Sequence, residues 1–117
     1  MLYDPNWATK NDVVTILRKA KDIIANPEHW TCGEYARDIN HSWVRFDEAG
    51  AVSFCSIGAL AVVSGTNIKV AENSSAYKLL ELAAKEQGSS WPHEENDKGH
   101  SQAMAMFDRA IQIAQVG

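Results

Sequence analysis

The sequence predicts a mainly α-helical, compact domain of about four helices, with a short β-hairpin or an ordered loop after the first helix. Three observations support this fold class. Apolar residues recur at helical spacing in three separate segments, which is typical of helices that bury one face. Proline or glycine follows the first two of these segments as a stop signal. The 117 residues, 45% hydrophobic and 22% charged, fit a single globular domain over residues 1–117.

The N-terminal region is expected to form an extended arm over residues 1–10, anchored by Trp7, before the first helix. Asn11 or Asp12 is expected to cap that helix, because their side-chain oxygens accept hydrogen bonds from free amides of the first turn. The helix ends before Pro27, since proline disfavours helical backbone in the preceding residue. Its apolar positions are Val13, Ile16, Leu17, Ala20, Ile23 and Ile24.

Residues 28–47 combine aromatic, strand-favouring side chains with a central stretch of turn residues. Tyr35–Arg37 and Trp43–Arg45 flank Asp38–Ser42, whose residue types favour a turn. The pattern predicts a short hairpin between the two flanks. An irregular loop pinned by its aromatic side chains is the alternative.

Small apolar residues fill the segment from about Glu48 to Ser64, which predicts a buried helix ending at Gly65. Glycine at position 58 costs about 1 kcal/mol of helix propensity relative to alanine, so a close approach by a neighbouring element is expected there. A buried strand over Ala59–Val63 is a competing interpretation, because short apolar runs do not distinguish the two structures.

Residues 66–73 are expected to form a loop, after which Ser74 or Ser75 caps a helix that runs to Gln87. Gly88 suits the left-handed position that follows a helix. A polar loop over 89–99 then leads to the last helix. That helix is expected to begin at His100 or Ser101. The predicted core is Val13, Leu17, Ile24, Ile57, Leu60, Leu79, Leu82, Phe107 and Ile111.

The charge balance argues against general nucleic-acid binding. The net charge is −4, from 11 basic and 15 acidic residues, and only Arg18, Lys19 and Lys21 form a short basic group. Nucleic-acid binders need a basic face that neutralises phosphates. A solvated helix face accounts better for this group.

Membrane insertion, secretion and cofactor binding are not expected either. The longest apolar run, Ile57–Val63, is far shorter than the ~20 residues of a membrane span. The first residues lack the basic and apolar regions of a secretory signal, so a cytoplasmic location is expected. Cys32 and Cys55 are expected to be free thiols, at least one of them buried, because nothing in the sequence points to an oxidising compartment. A zinc site is not expected, because there is no Cys-x-x-Cys and neither cysteine has a histidine at zinc-ligand spacing. The sequence predicts no cofactor and no metal.

Two groups of residues have side chains that could bind a metal or act as a nucleophile. The loop that contains His93, Asp97 and His100 has metal-ligand residue types, but its spacing matches no metal motif, and a solvated connection explains it better. Cys55 can be drawn as a nucleophile with His93 or His100 and with Asn96 or Asp97. A buried, inert cysteine is the favoured interpretation, because free cysteine is among the most buried residue types.

Three motifs, in combination, resemble a family of uncharacterised small bacterial and phage proteins. They are a Trp-x-x-Gly-x-x-Ala-Arg-Asp segment, a Cys-x-x-Gly-Ala-Leu helix and an Asn-Asp pair before the final helix. The resemblance implies a shared constellation but no activity, because this is a domain of unknown function. The constellation comprises Trp30, Gly33, Arg37, Asp38, Cys55, Gly58, Asn96 and Asp97.

The favoured functional interpretation is a non-enzymatic accessory binding protein, of phage or mobile-element origin, that engages a host protein or a small polar ligand. The expected binding residues are polar or aromatic: Trp30, Arg37, Asp38, Asn96 and Asp97. Two alternatives remain open. One is a small hydrolase or transferase that depends on Cys55, and the other is a structural subunit of a larger assembly. The sequence leaves the oligomeric state open.

Overall fold

The computed structural model describes residues 10–116 and confirms a mainly helical fold with a small antiparallel sheet. Within these residues six α-helices are present, rather than about four, together with a single 3-10 turn at Pro27–His29. The strands are β1 (Ala36–Arg37) and β2 (Ser53–Phe54). The helices are α1 (Lys10–Ile24), α2 (Ser56–Ser64), α3 (Ile68–Ala71), α4 (Ser75–Glu86), α5 (Pro92–Lys98) and α6 (His100–Val116).

The core lies where α1 packs against α2 and α6, and where α6 packs against α4 and α5. Seven of the nine predicted core residues are buried there; Leu79 is only partly buried. Leu82 was predicted wrongly, since it is 50% exposed. The buried stripe of α4 instead passes through Ala76, Leu80 and Ala83, at i, i+4 and i+7.

The sheet differs from the predicted hairpin in its pairing. Ala36 pairs with Phe54 and Arg37 pairs with Ser53, whereas only an isolated bridge joins Arg37 to Trp43. Asp38 does close the expected turn, because its backbone amide donates to the Ser42 carbonyl oxygen at 2.9 Å. Residues 53–54 then return along β1, so a distant segment replaces the local partner.

This pairing also delays the start of α2. The helix begins at Ser56, with Cys55 as its cap, and not near Glu48. Residues 53–54 are held extended by β1, and the Cys55 amide donates to the Tyr35 carbonyl oxygen at 3.1 Å. Ala59–Val63 is helical, which excludes the strand interpretation.

Two short helices occupy segments predicted as loops. The Asn67 side chain caps α3 by accepting from the Val70 amide at 2.8 Å. Helix α5 begins with Pro92, and the Glu94 carboxylate accepts from the Trp91 amide at 3.0 Å. These capping signals are present in the sequence, but the two helices are short and lack an apolar stripe that would mark them as helices.

Two of the remaining predicted helix starts agree with the structure and one does not. Ser74 caps α4 and α6 begins at His100, both as predicted. Helix α1 already includes Lys10, so positions 11 and 12 lie within its first turn and not before it. The predicted arm, apart from Lys10, and its anchor Trp7 lie outside the described residues.

Candidate functional site

Asn96 is the centre of a buried hydrogen-bond network that joins three parts of the chain. Its side chain is 0% exposed, on α5. Its Oδ1 accepts from Trp30 Nε1 at 3.0 Å, from the Ser56 amide at 3.0 Å and from Ser56 Oγ at 2.7 Å. The carbonyl oxygen therefore satisfies a free amide at the start of α2 and fixes the indole of Trp30.

The amide nitrogen of Asn96 and the carboxylate of Asp97 hold the segment that follows Trp30. Asn96 Nδ2 donates to the Thr31 carbonyl oxygen at 3.1 Å and to Asp97 Oδ1 at 3.3 Å. Asp97 Oδ1 also accepts from the Gly33 amide at 3.2 Å. Gly33 has a φ of 82°, a left-handed conformation that favours glycine. We call Trp30, Thr31, Gly33, Ser56, Asn96 and Asp97 the Asn96 frame.

Arg37 braces the same segment from its other side. Its Nε donates to Thr31 Oγ1 at 2.9 Å, its Nη2 to the Cys32 carbonyl oxygen at 3.1 Å and its Nη1 to the His41 carbonyl oxygen at 3.1 Å. All three guanidinium nitrogens thus donate hydrogen bonds to groups within the protein itself. Asp38 closes the adjacent turn, since its Oδ1 accepts from the amides of Asn40 and Ser42, both at 2.9 Å.

Of the five predicted binding residues, the structure brings Trp30, Asn96 and Asp97 together. Arg37, at the end of β1, bonds Thr31 of the Asn96 frame, and Asp38 lies in the turn that follows β1. Asn96 was expected on a binding surface. In the structure it is fully buried, and both of its polar atoms are bonded inside the protein. Its hydrogen bonds position Trp30, Thr31 and Ser56.

Both histidines of the polar segment are placed, in separate environments. His100 Nε2 lies 2.7 Å from the Ile24 carbonyl oxygen, and its ring meets Trp30 edge-on at 5.8 Å between centroids. His93 lies exposed on α5. Among residues 10–116, no group of three or more histidine, cysteine, aspartate and glutamate side chains is arranged to hold a metal ion.

Glu95 anchors α5 from the side opposite the frame. Its carboxylate is buried and accepts from Ser89 Oγ at 2.7 Å and from Lys98 Nζ at 2.8 Å. Burial alone would raise the pKa of Glu95. The hydrogen bonds from Lys98, Ser89 and Gln87, with the charge of Lys98, outweigh burial and leave the pKa lowered.

A cleft of about 410 Å³ lies beside the Asn96 frame and the segment that Arg37 holds. Its floor is formed by Cys55 and Ile57, which are buried, and its rim carries Tyr35 and Trp43, which are 40% and 59% exposed. The volume is of the size that receives a small ligand or a side chain. The lining residues are Gly33, Glu34, Tyr35, Trp43, Cys55, Ile57, Glu72, His93 and Asp97.

The thiol at the floor of this cleft caps α2. Cys55 Sγ accepts from the Gly58 amide at 3.3 Å, and the residue is 5% exposed. The pKa of Cys55 is raised to about 11, chiefly by burial; the amides of Gly58 and Ile57 lower it in part, and the charge of Asp97 adds to the rise. Nucleophilic cysteines have the opposite shift.

Sequence reasoning missed most of the cleft. The sequence assigned Tyr35 and Trp43 to the predicted hairpin and offered the tryptophans either as groove-lining residues or as staples of loops, but it did not connect them with Glu72. Glu72 comes from the C-terminal end of α3, far along the chain from the loop it faces. No local pattern places these side chains together, although aromatic residues in a turn-rich segment were an available signal.

A comparison with protein families places this chain. A family model described as a family of unknown function, DUF6197, matches residues 8–113. The chain belongs to the DUF6197 family. No curated protein and no solved structure matches it. Membership of DUF6197 carries no activity to this chain, so its function has to be argued from the cleft. None of the helices described is both long and apolar enough to cross a membrane.

Proposed function

We propose that this DUF6197 chain is a non-enzymatic accessory binding protein whose cleft receives a polar group of a partner molecule. The observation that carries the proposal is the cleft itself. Two exposed aromatic side chains, Tyr35 and Trp43, stand over a buried floor. Aromatic side chains beside a concave surface supply contact area on binding at little conformational cost. We also propose that the protein is encoded by a phage or a mobile element, as the sequence resemblance implies.

In this proposal the predicted binding residues act mainly by shaping the cleft. Asn96 and Arg37 hold the loop that carries Tyr35, using hydrogen bonds to residues 30–32 and 41. Asp97 has both roles, because it lines the cleft and also accepts from the Gly33 amide. A rigid frame favours binding, since less conformational entropy is lost when the ligand arrives.

One observation favours the alternative of a Cys55-dependent hydrolase. Cys55, His93 and Asp97 all line the same cleft, which is the set of residue types that such an enzyme needs. Against it, the thiol is buried, is committed to the Gly58 amide and has a raised pKa. Among the described residues no hydrogen bond joins His93 to Cys55 or to Asp97. A nucleophile–base pair normally lies within hydrogen-bonding reach.

The proposal is tested by NMR with the ¹⁵N-labelled chain and a library of small polar fragments that includes cationic, anionic and neutral members. Shifted amides are expected to cluster around the cleft, and Trp43→Ala is expected to abolish the shifts. Ile39→Ala is the matched control, because Ile39 is an exposed apolar residue that does not line the cleft. Fragments that bind elsewhere, or that bind Trp43→Ala unchanged, would show that the cleft is not the binding site.

A further inference from the structure

The cleft carries a one-sided charge. Among residues 12–116, three carboxylates line it, those of Glu34, Glu72 and Asp97, and no lysine or arginine does. The ion pairs among the described residues involve none of these three. Carboxylates without a cationic neighbour attract a cation from outside, and exposed aromatic rings bind ammonium and guanidinium groups through their faces.

The cleft shares Glu72 and His93 with a second depression, of about 550 Å³, which lies next to it. This second depression contains Glu81 and the side chains of Tyr77 and Trp91, the last of which is exposed. Of the lysines and arginines that the structure describes, Lys78 alone lines it. Glu72 therefore stands between two concave surfaces, each with carboxylates and aromatic rings.

We call the cleft and the second depression together the groove. Tyr35 and Tyr77, one in each depression, lie in the negative electrostatic potential of its carboxylates. The pKa of Tyr77 is raised to about 12, first by burial and then by the charges of Glu72 and Glu81. Burial also raises the pKa of Tyr35, with Glu72 as the next cause. Negative charge opposes deprotonation of a phenol for the same reason that it favours a bound cation.

We infer that the occupant of this groove is a lysine- or arginine-bearing peptide segment of a partner protein. Two depressions joined at Glu72 suit an extended segment better than a single small molecule, because one fragment fills only one of them. The segment places one cationic side chain in the cleft, beside Trp43 and Glu34, and a further cationic residue against Glu81. Complementary charge also speeds the encounter of the two molecules. The inference rests on the proposed function and specifies its partner.

The experiment is an NMR titration of the ¹⁵N-labelled full chain with three end-blocked peptides of equal length: hexalysine, hexaglutamate and a glycine–serine repeat. Hexalysine is expected to shift amides along both depressions, saturably, and to bind more weakly as salt rises, since screening is strong at about 0.15 M. Hexaglutamate and the neutral repeat are expected not to shift them.

Two double variants distinguish binding of hexalysine in the groove from its non-specific attraction to an acidic protein. In Glu72→Gln/Glu81→Gln, hexalysine is expected to bind about five- to tenfold more weakly, from two lost surface charge pairs. Glu28→Gln/Glu48→Gln is the matched control, because it removes the same charge at exposed positions that line neither depression. The control is expected to stay within about twofold of the unmodified chain, and thermal unfolding checks that both variants fold.

Equal weakening in the two double variants, equal binding of the neutral repeat, or hexalysine shifts outside the groove would each overturn the inference. Its failure is distinguishable from failure of the proposed function. If fragments occupy the cleft but hexalysine does not, only the basic partner is wrong. If neither occupies it, the binding role of the cleft is wrong as well.

Discussion

Replacing Gly58 by alanine tests the contact that shapes the cleft, because helix propensity and packing predict opposite signs. A methyl group at position 58 would lie 2.2 Å from the Tyr35 carbonyl oxygen and 3.1 Å from its carbon. Both are backbone atoms and cannot swing aside. Propensity alone would stabilise the variant by about 1 kcal/mol. Overpacking costs up to about 3 kcal/mol, and displacing Tyr35 loses its hydrogen bond from the Cys55 amide, about 1 kcal/mol more.

The expected net effect of Gly58→Ala is a loss of about 2–3 kcal/mol in the free energy of unfolding, measured by urea denaturation followed by circular dichroism. The midpoint of thermal unfolding is expected to fall by roughly 10 °C. Gly50→Ala is the control, because no atom lies within 4 Å of its added methyl group. It is expected to be neutral or to stabilise by up to about 1 kcal/mol. A Gly58→Ala variant as stable as the unmodified chain would refute the tight contact between α2 and Tyr35.

Three further predictions concern the frame, the thiols and the buried carboxylate. Asn96→Ala should lower the free energy of unfolding by about 3–5 kcal/mol, because it leaves buried hydrogen-bond donors without an acceptor; a loss below about 1 kcal/mol in urea denaturation contradicts this. In the native state a thiol reagent should label Cys32, which is exposed, and spare Cys55 until the chain is unfolded; rapid native labelling of Cys55 would instead support the enzyme alternative. Glu95→Gln should cost about 2–3 kcal/mol at pH 7. Because the pKa of Glu95 is lowered in the folded state, this stabilisation is fully present above the ordinary glutamate pKa of 4.5 and disappears as the pH falls through the folded value. Urea denaturation at pH 7 and in acid should therefore show the difference shrinking in acid, and a constant difference would contradict the assignment.

The fold class could be predicted because its evidence is local. The stripe of α1, the Ser74 cap of α4 and the start of α6 at His100 all follow from residues within one or two turns. The need for glycine at position 58 was also visible, since glycine inside an apolar helix requires a reason. What approaches Gly58 was not visible, because the Tyr35 carbonyl arrives from a different part of the chain.

The candidate site could be predicted only in part, for the same reason. Trp30, Asn96 and Asp97 were singled out by residue type, and they do meet. Their residue types do not show that Asn96 is buried while Trp43 is exposed. Burial depends on which elements cover a side chain, and periodicity describes only the element that carries it.

The sequence by itself determined the helical class, the acidic net charge and most of the core, because periodicity and composition act within a single segment. The tertiary structure decided the pairing of residues 53–54 with 36–37, and with it the late start of α2. It also decided the cleft, by bringing residues 30–43 against 96–97 and Glu72. Hydrogen bonds across such separations depend on how helices pack, and packing is a property of the whole chain.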